Sequence, residues 1–125
     1  MGKPLRLLLV EDSERDAALL NLYLRRGGYE ATVDRVESAD EMRARLQTGQ
    51  FDVIVSDINL PRFSARAALA VLQESGRQMP FIVLTGDLDR KSISGLLEAG
   101  ATHVLFKYEM SQVAAVIDRV MQAGS

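Results

Sequence analysis

The stretch "VIVSDINLP" (Val53–Pro61) joins a run of apolar, β-branched residues to an acid, Asp57, close behind it. A nearly continuous apolar run of this kind is typical of a parallel strand that is covered on both faces of its sheet. Pro61 has no backbone N–H and cannot extend such a strand. The stretch therefore predicts a buried strand that ends on a carboxylate, and it raises the question of what that carboxylate does.

Five short apolar runs, one of them overlapping this stretch, alternate with five helical patterns along the chain. The runs are Leu5–Val10, Tyr29–Val36, Phe51–Ser56, Pro80–Thr85 and Thr102–Phe106. Alternating strand and helix units predict an α/β fold, a parallel sheet with helices on both faces. In such folds ligands bind beyond the carboxyl ends of the strands, so the polar residues at those ends are the first candidates for a functional site.

Polar caps and glycines mark the expected helix boundaries. Ser38 and Glu41 have the spacing of a capping box for the second helix. Gly100 suits the position just after the fourth helix. The other expected start residues are Ser13 or Asp12 for the first helix, Ser64 for the third, Asp89 for the fourth and Ser111 for the fifth, with stops at Gly27–Gly28 and Gly76.

Composition narrows the class of protein. The 125 residues are about the size of one domain, 1–125, and 47% of them are hydrophobic and 26% charged. A net charge of -2 gives no overall basic field for nucleic acid or an anionic membrane. The chain has no cysteine, which excludes disulfides and thiolate chemistry and suits a reducing cytoplasm. We therefore expect a cytoplasmic domain without direct nucleic-acid or membrane contact.

Charged and hydroxyl side chains occur at four of the five expected strand ends. Glu11 and Asp12 follow the first strand, Asp57 the third, Thr85 ends the fourth and Lys107 follows the fifth. Singly, each has an ordinary explanation: an acid after a strand is often a helix cap, and a lysine is often a solvated surface residue. Their coincidence at consecutive strand ends favours a site. The only histidine, His103, we interpret as an incidental strand-edge residue.

The chemistry of that constellation points to phosphoryl transfer. Three clustered carboxylates repel one another unless a cation lies between them, and an all-oxygen donor set suits Mg²⁺. The ammonium and the hydroxyl then serve as partners for an anion added to one carboxylate. The residues thus predict a Mg²⁺-assisted phosphoryl acceptor, since charge neutralisation and positioning are most of what this reaction requires of a protein.

With these residues in view, the sequence resembles a receiver domain of two-component response regulators over essentially its whole length. The resemblance rests on "VEDS" (Val10–Ser13), "SDINLP" (Ser56–Pro61), "FIVLTG" (Phe81–Gly86) and "EAGATHVLFK" (Glu98–Lys107). It implies a flavodoxin-like (βα)5 fold, a doubly wound five-stranded parallel sheet of order 2-1-3-4-5. The "FSA" run (Phe63–Ala65) is similar to receivers attached to multi-domain hybrid sensor kinases or diguanylate cyclases.

The resemblance implies a role for each residue of the acceptor. Asp57 would accept a phosphoryl group from a histidine kinase or a histidine phosphotransfer protein, while Thr85 and Lys107 would contact the phosphoryl oxygens. The phosphorylated state would then switch the surface formed by the fourth helix, fifth strand and fifth helix, through which a homodimer is also conceivable. Such a domain is a phosphorelay acceptor with an unknown output, not an enzyme beyond self-catalysed phosphotransfer and autodephosphorylation.

The resemblance also implies a Mg²⁺ site. Asp12 would bind the ion directly, Glu11 mostly through water, and Asp57 with its own carboxylate. The backbone carbonyl of Asn59 would complete the protein ligands.

Two positions depart from the family pattern. Tyr108 follows Lys107 where the family usually has a proline after a cis bond, and we expect a trans bond or an altered loop there, because a cis bond before a non-proline residue costs about 2.5–4 kcal/mol. Val104 stands where the family usually places an aromatic switch residue. Phe106 lies on the same face of the strand two residues later, so Phe106 or Tyr108 is a candidate for part of that role.

Three other classes of protein share part of this pattern. A haloacid-dehalogenase-type phosphatase needs a second acid two residues after its nucleophile, where this chain has Asn59. A flavin binder needs a phosphate loop after the first strand, where Glu11 and Asp12 would repel the phosphate. A pseudo-receiver that acts only as a protein-interaction module is the main alternative. The altered Lys107–Tyr108 segment favours it, and the complete set of acceptor residues opposes it.

Overall fold

The computed structural model describes residues 2–58, 60, 63–86 and 90–123. Within them lie five strands: β1 (Lys3–Val10), β2 (Tyr29–Val36), β3 (Val53–Asp57), β4 (Phe81–Thr85) and β5 (His103–Phe106). The helices are α1 (Glu14–Arg26), α2 (Ala39–Thr48), α3 (Ala65–Glu74), α4 (Arg90–Ala99) and α5 (Val113–Ala123), with a 3₁₀ helix (Lys107–Gln112) between β5 and α5. None of the helices in this described part has the length and apolar character that crossing a bilayer requires.

All strands of the sheet are parallel, in the order β2-β1-β3-β4-β5, as predicted. The chain moves outward in opposite directions from the β1–β3 pair, so the topological switch point lies between those two strands. The register pairs Val10 with Ser56 and Asp57 with Leu84. The carboxyl ends of the central strands are therefore level with one another, which brings their following residues to one edge of the sheet.

Helices cover both faces of the sheet. On one face Ile54 packs in a core with Met42 of α2 and Leu69 of α3. On the other face Val53 and Val55 pack in a core that includes Leu24 of α1 and Ile117 of α5. Alternate residues of a strand point to opposite faces, so the apolar run of β3 supplies both cores. The prediction of a strand buried on both sides is confirmed, since every residue of β3 is buried.

The predicted N-caps are confirmed for three helices. The hydroxyls of Ser13, Ser38 and Ser64 accept hydrogen bonds from the third residue beyond each, at 3.2, 3.2 and 3.1 Å. Glu41 reaches back past the cap and accepts a bond from the N–H of Glu37, the residue before Ser38, at 3.1 Å. These bonds satisfy N–H groups that have no partner within the helix. The expected cap of α4, Asp89, lies outside the described residues.

The predicted start of the fifth helix at Ser111 is wrong. The chain enters the 3₁₀ helix at Lys107, directly after β5, and Ser111 lies inside that helix rather than before α5. Met110, buried at 3% exposure, anchors this turn in the core, and the N–H of Val113 bonds to the Met110 carbonyl. Because the backbone is already helical when it reaches α5, no extended capping residue precedes that helix.

Strand boundaries also shift by one or two residues. β1 begins at Lys3 rather than Leu5, because its pairing with β2 extends to Lys3 opposite Tyr29. β3 begins at Val53 rather than Phe51. Phe51 is nevertheless buried and belongs to the core on the α2 and α3 side of the sheet, which explains its place in the apolar run.

Candidate functional site

The carboxyl edge of the sheet gathers most of the polar residues that were singled out in the sequence. Asp57 is the last residue of β3 and Thr85 the last of β4, and both side chains are buried. Thr85 lies opposite Phe106 in the register, and Lys107 follows Phe106 directly. Glu11 follows β1 and is also buried, and its N–H donates to the carbonyl of Val36 at 3.1 Å.

An ion pair joins the third and fifth strand ends. The Nζ atom of Lys107 donates a hydrogen bond of 2.7 Å to Oδ2 of Asp57. The Asp57 side chain is 6% exposed and that of Lys107 is 34% exposed. The buried carboxylate is thus paired with an ammonium that remains partly open to solvent. Burial of Lys107 disfavours its charge, but the Asp57 hydrogen bond and the carboxylates of Asp57, Asp16 and Glu11 outweigh that effect and raise the pKa of Lys107.

Glu11 is the carboxyl group most affected by its surroundings. Burial, together with a hydrogen bond to Asp57 and the charge of Asp57, raises the pKa of Glu11 from 4.5 to about 8. The N–H of Ser13, which donates to Oε1 of Glu11 at 3.1 Å, and the charge of Lys107 act in the opposite direction. Without a cation, Glu11 thus holds a proton at neutral pH and donates a hydrogen bond to Asp57, as expected for two carboxyl groups in close contact.

Asp16 belongs to the same cluster, although the sequence analysis did not single it out. Its Oδ2 lies 3.4 Å from Nζ of Lys107. Oxygen atoms of Glu11, Asp16 and Asp57 all lie within 4.8 Å of one another. The candidate residues of the sequence all lie at strand ends, whereas Asp16 lies in the first turn of α1. Asp16 is the third residue after the predicted cap Ser13, where an acid is common in the first turn of a helix, so no motif in the sequence marked it.

The remaining predicted ligands have different positions. Asp12 is exposed and is not one of the three acids whose oxygens lie within 4.8 Å of one another. Its role as the direct metal ligand stays a prediction. Asn59, whose backbone carbonyl was the other predicted ligand, lies outside the described residues.

The donor set fits a hard divalent cation. Glu11, Asp16 and Asp57 offer only oxygen atoms, and Mg²⁺ typically uses one or two carboxylates with waters and phosphate oxygens. Burial raises the pKa of Glu11, and its hydrogen bond to Asp57 and the charge of Asp57 raise it further, so charged Glu11 is disfavoured beside Asp57. A cation among them would favour the charged form of Glu11 and displace its proton.

Arg35 fastens the loop that carries the first of these acids. One guanidinium nitrogen donates to the backbone carbonyl of Glu11 at 3.1 Å. The same side chain lies 3.7 Å from a carboxylate oxygen of Glu14 and 3.5 Å from one of Glu37. The end of β1 and the start of α1 are therefore tied to β2, which limits movement of Glu11 relative to the sheet.

Comparison with known proteins identifies the family. Residues 7–118 match the family described as the response regulator receiver domain. The chain belongs to this family. It is 29% identical over 119 residues to the transcriptional regulatory protein PcoR of Escherichia coli, a match that covers 94% of this chain and 51% of that protein. It is 28% identical over 107 residues to the autoinducer 2 sensor kinase/phosphatase LuxQ of Vibrio vulnificus, covering 85% of this chain and 12% of that protein. The chain thus spans about half the length of PcoR, and a small part of LuxQ.

Solved receiver structures share the fold. The receiver domain of a sensor histidine kinase from Pseudomonas aeruginosa PAO1, solved with a magnesium ion coordinated in its active site cleft, has a TM-score of 0.77 and 26% identity, with 100% of both chains covered. A Francisella response regulator receiver domain has a TM-score of 0.82 at 19% identity, covering 97% of this chain and 99% of that one. The predicted family and fold are therefore confirmed.

The receiver departs from the family pattern just after Lys107. The rings of Phe106 and Tyr108 are stacked, with centroids 5.4 Å apart and planes inclined by 11°. Tyr108 is 74% exposed, whereas Val104 is partly buried against the core on the α2 and α3 side. The described residues contain no cis peptide bond, in agreement with the expectation for the Lys107–Tyr108 bond. The proposed switching role of Phe106 or Tyr108 stays a prediction.

Proposed function

We propose that Asp57 accepts a phosphoryl group from the phosphohistidine of a histidine kinase or a histidine phosphotransfer protein. The single observation that carries the proposal is the buried Asp57 carboxylate at the end of β3, with the Lys107 ammonium 2.7 Å from its Oδ2 atom. A carboxylate on a rigid strand end is a positioned nucleophile, and the ammonium beside it offsets charge on the group being transferred. The family membership and the sensor kinase among the relatives support the same assignment.

The transfer itself has a simple balance. An oxygen of Asp57 attacks the phosphorus atom, a P–O bond forms, the P–N bond to the donor imidazole breaks, and the electron pair stays on the imidazole nitrogen. Lys107 moves with the negative charge from the carboxylate to the phosphoryl oxygens, and the Thr85 hydroxyl donates to one of them. Bound Mg²⁺ would be held by Glu11, Asp12, Asp57 and the Asn59 carbonyl, and it would supply charge neutralisation.

The product is a changed surface rather than a released molecule. A phosphoryl group adds a charge of about −1.5 to −2 and three acceptor oxygens beside Thr85 and Lys107. Thr85 is paired with Phe106 in the sheet, so a shift of Thr85 reaches β5 and the stacked Tyr108. We propose that this biases the surface formed by α4, β5 and α5 between two states. The domain would then be a phosphorelay component with self-catalysed transfer, not an enzyme with an external substrate.

The reaction would take place in the cytoplasm, where a partner kinase has ATP. The output, carried by another domain or protein, would read the α4, β5 and α5 surface, and that surface is also where a homodimer would form.

A pseudo-receiver is the second candidate function. The observation in its favour is the 3₁₀ helix at Lys107, with the exposed, stacked ring of Tyr108, since this segment departs from the family pattern and offers a contact surface without any phosphorylation.

Phosphorylation with a small donor separates the two candidates. The protein is incubated with Mg²⁺ and acetyl phosphate, and intact mass is measured before and after treatment with acid and base. We expect an acid-stable, base-labile gain of one phosphate in wild type and none in Asp57→Asn. Asp40→Asn is the matched control, because Asp40 is an exposed acid on α2, and it should be modified as wild type is. No gain in wild type would leave the pseudo-receiver.

A further inference from the structure

We propose that Asp16 is a positioning residue for Lys107, which keeps the ammonium at the acceptor while Asp57 is being phosphorylated. This inference rests on the proposed function. It assigns a role to an acid in α1 that lies at none of the strand ends.

Lys107 has two carboxylate partners that differ in kind. Its Nζ atom lies 2.7 Å from Oδ2 of Asp57 and 3.4 Å from Oδ2 of Asp16. Asp57 is 6% exposed, whereas the side chains of Asp16 and Lys107 are 32% and 34% exposed. The contact with Asp57 is therefore the buried one, and the contact with Asp16 holds the ammonium from the more open side of the site.

Phosphoryl transfer changes only one of these partners. When the P–O bond to Asp57 forms and the bond from phosphorus to the donor's leaving group breaks, the carboxylate becomes an acyl phosphate and its charge moves to the phosphoryl oxygens. Lys107 must follow that charge. The carboxylate of Asp16 takes no part in the bond changes, so its attraction for Lys107 persists from the start of the transfer to its end.

The support for Asp16 is rigid. Its N–H donates to the Ser13 hydroxyl at 3.2 Å, which closes the first turn of α1. The N–H of Ser13 in turn donates to Oε1 of Glu11 at 3.1 Å. The backbone of Asp16 is thus linked to Glu11 by two hydrogen bonds in series.

Lysine needs such a partner more than most side chains do. Its four-carbon chain carries a compact, strongly hydrated charge, and holding it in one position loses rotamer entropy. An ammonium that left the site with each movement of the Asp57 charge would have to be ordered again during the reaction. The second carboxylate keeps the number of accessible positions small, which is a contribution to orientation.

A double-mutant cycle between Asp16 and Lys107 tests this role. The rate of Asp57 phosphorylation is measured by intact mass over a series of acetyl phosphate concentrations with saturating Mg²⁺, for wild type, Asp16→Asn, Lys107→Ala and the double variant. We expect Asp16→Asn to lower the maximal rate about 3–10-fold with little change in the half-saturating donor concentration. In the Lys107→Ala background the same substitution should have no further effect, because the group that Asp16 positions is gone.

Two matched variants sharpen the result. Asp16→Glu retains the charge and should recover part of the lost rate. Asp40→Asn removes an acid of α2 that is 97% exposed and lies outside this site, so the rate should match wild type. Thermal unfolding is followed for every variant, and Asp16→Ser replaces Asp16→Asn in the cycle if the asparagine variant does not fold.

Other outcomes contradict the inference in recognisable ways. An equal loss with and without Lys107 would show that Asp16 acts through the fold or the metal instead. A faster reaction in both backgrounds would show that Asp16 only repels the anionic donor. If wild type takes up no phosphate at all, the proposed function fails, whereas normal uptake without coupling between the two residues overturns the positioning role alone.

Discussion

The ammonium nitrogen of Lys107 lies 2.7 Å from a carboxylate oxygen of Asp57, although 50 positions separate the two residues in the chain. Both lie at the carboxyl edge of the sheet, at the ends of β5 and β3. Asp57 is buried, so little water reaches its carboxylate. The nearby ammonium of Lys107 supplies the compensating positive charge. The relationship explains how an apolar strand can end on a charged side chain.

Replacing Lys107 with methionine tests the electrostatic part of this arrangement. Methionine keeps much of the side chain's length and removes its charge. We expect the rate of Asp57 phosphorylation by acetyl phosphate to fall about 100-fold, the scale seen when one preorganised donor to a developing charge is lost. The control is Lys91→Met, which changes an exposed lysine of α4. It should leave the rate within about twofold of wild type. A rate unchanged in Lys107→Met would contradict the assignment.

The pKa of Glu11 gives a prediction for stability without metal. Since the folded protein raises this pKa from 4.5 to about 8, the folded state binds a proton that the unfolded state releases above pH 4.5. The associated stability is complete below about pH 4.5 and is lost as the pH rises toward 8. Glu11→Gln cannot lose that proton, so in EDTA its advantage over wild type should grow to about 2–4 kcal/mol at pH 8. Urea unfolding at pH 5 and pH 8 measures it, and a constant difference would be the contrary result.

The affinity of the site for Mg²⁺ should rise with pH, whereas the stability of the metal-free protein falls. We expect bound Mg²⁺ to favour the charged form of Glu11, so Mg²⁺ binding below pH 8 should release protons, and the affinity for Mg²⁺ should rise with pH over that range. Calorimetric titrations in two buffers of different ionisation enthalpy count the protons. We expect clear release at pH 6.5, and much less from Glu11→Gln along with weaker binding. Equal proton release by both proteins would assign the titration to another group.

Several features of the site were predictable from sequence for a physical reason. Asp57, Thr85 and Lys107 end or follow apolar runs, and parallel strands bring their carboxyl ends to one edge whatever their separation in the chain. The buried positions of Asp57 and Thr85 follow from the same runs. The strand order, in contrast, came from the resemblance to receivers, because alternating strands and helices are compatible with more than one order.

Other features depended on packing that the sequence pattern does not express. Asp16 contacts Lys107 because α1 packs against the 3₁₀ helix that Lys107 begins. Ser111 has the character of a helix cap, but burial of Met110 turns the chain into a 3₁₀ helix before that residue can act as one. In both cases a tertiary contact determined the outcome, and local residue preferences did not reveal it.

A contact at the far end of the sheet offers a test that separates stability from reactivity. The Tyr29 hydroxyl donates a hydrogen bond to Oδ1 of Asp118, which joins the start of β2 to α5. Tyr29 is buried in the core on the α1 and α5 side, and it lies at the edge opposite Asp57. Tyr29→Phe should lower the free energy of unfolding by about 1 kcal/mol and leave the phosphorylation rate unchanged. Urea unfolding and the acetyl phosphate assay measure the two quantities, and a slower reaction would reveal coupling across the sheet.

The stacked pair of Phe106 and Tyr108 gives the last prediction, on how the signal leaves the site. Phe106 is paired with Thr85 in the sheet, and its ring lies against that of the exposed Tyr108. If this pair carries the switch, Phe106→Leu should still be phosphorylated at Asp57. The change in backbone amide chemical shifts of α4 and α5 between the two states should then fall by about half or more, because leucine has no ring to stack on Tyr108. Tyr108→Ala, which removes only the exposed ring, shows which member matters. Shift changes of full size in both variants would exclude the pair as the relay.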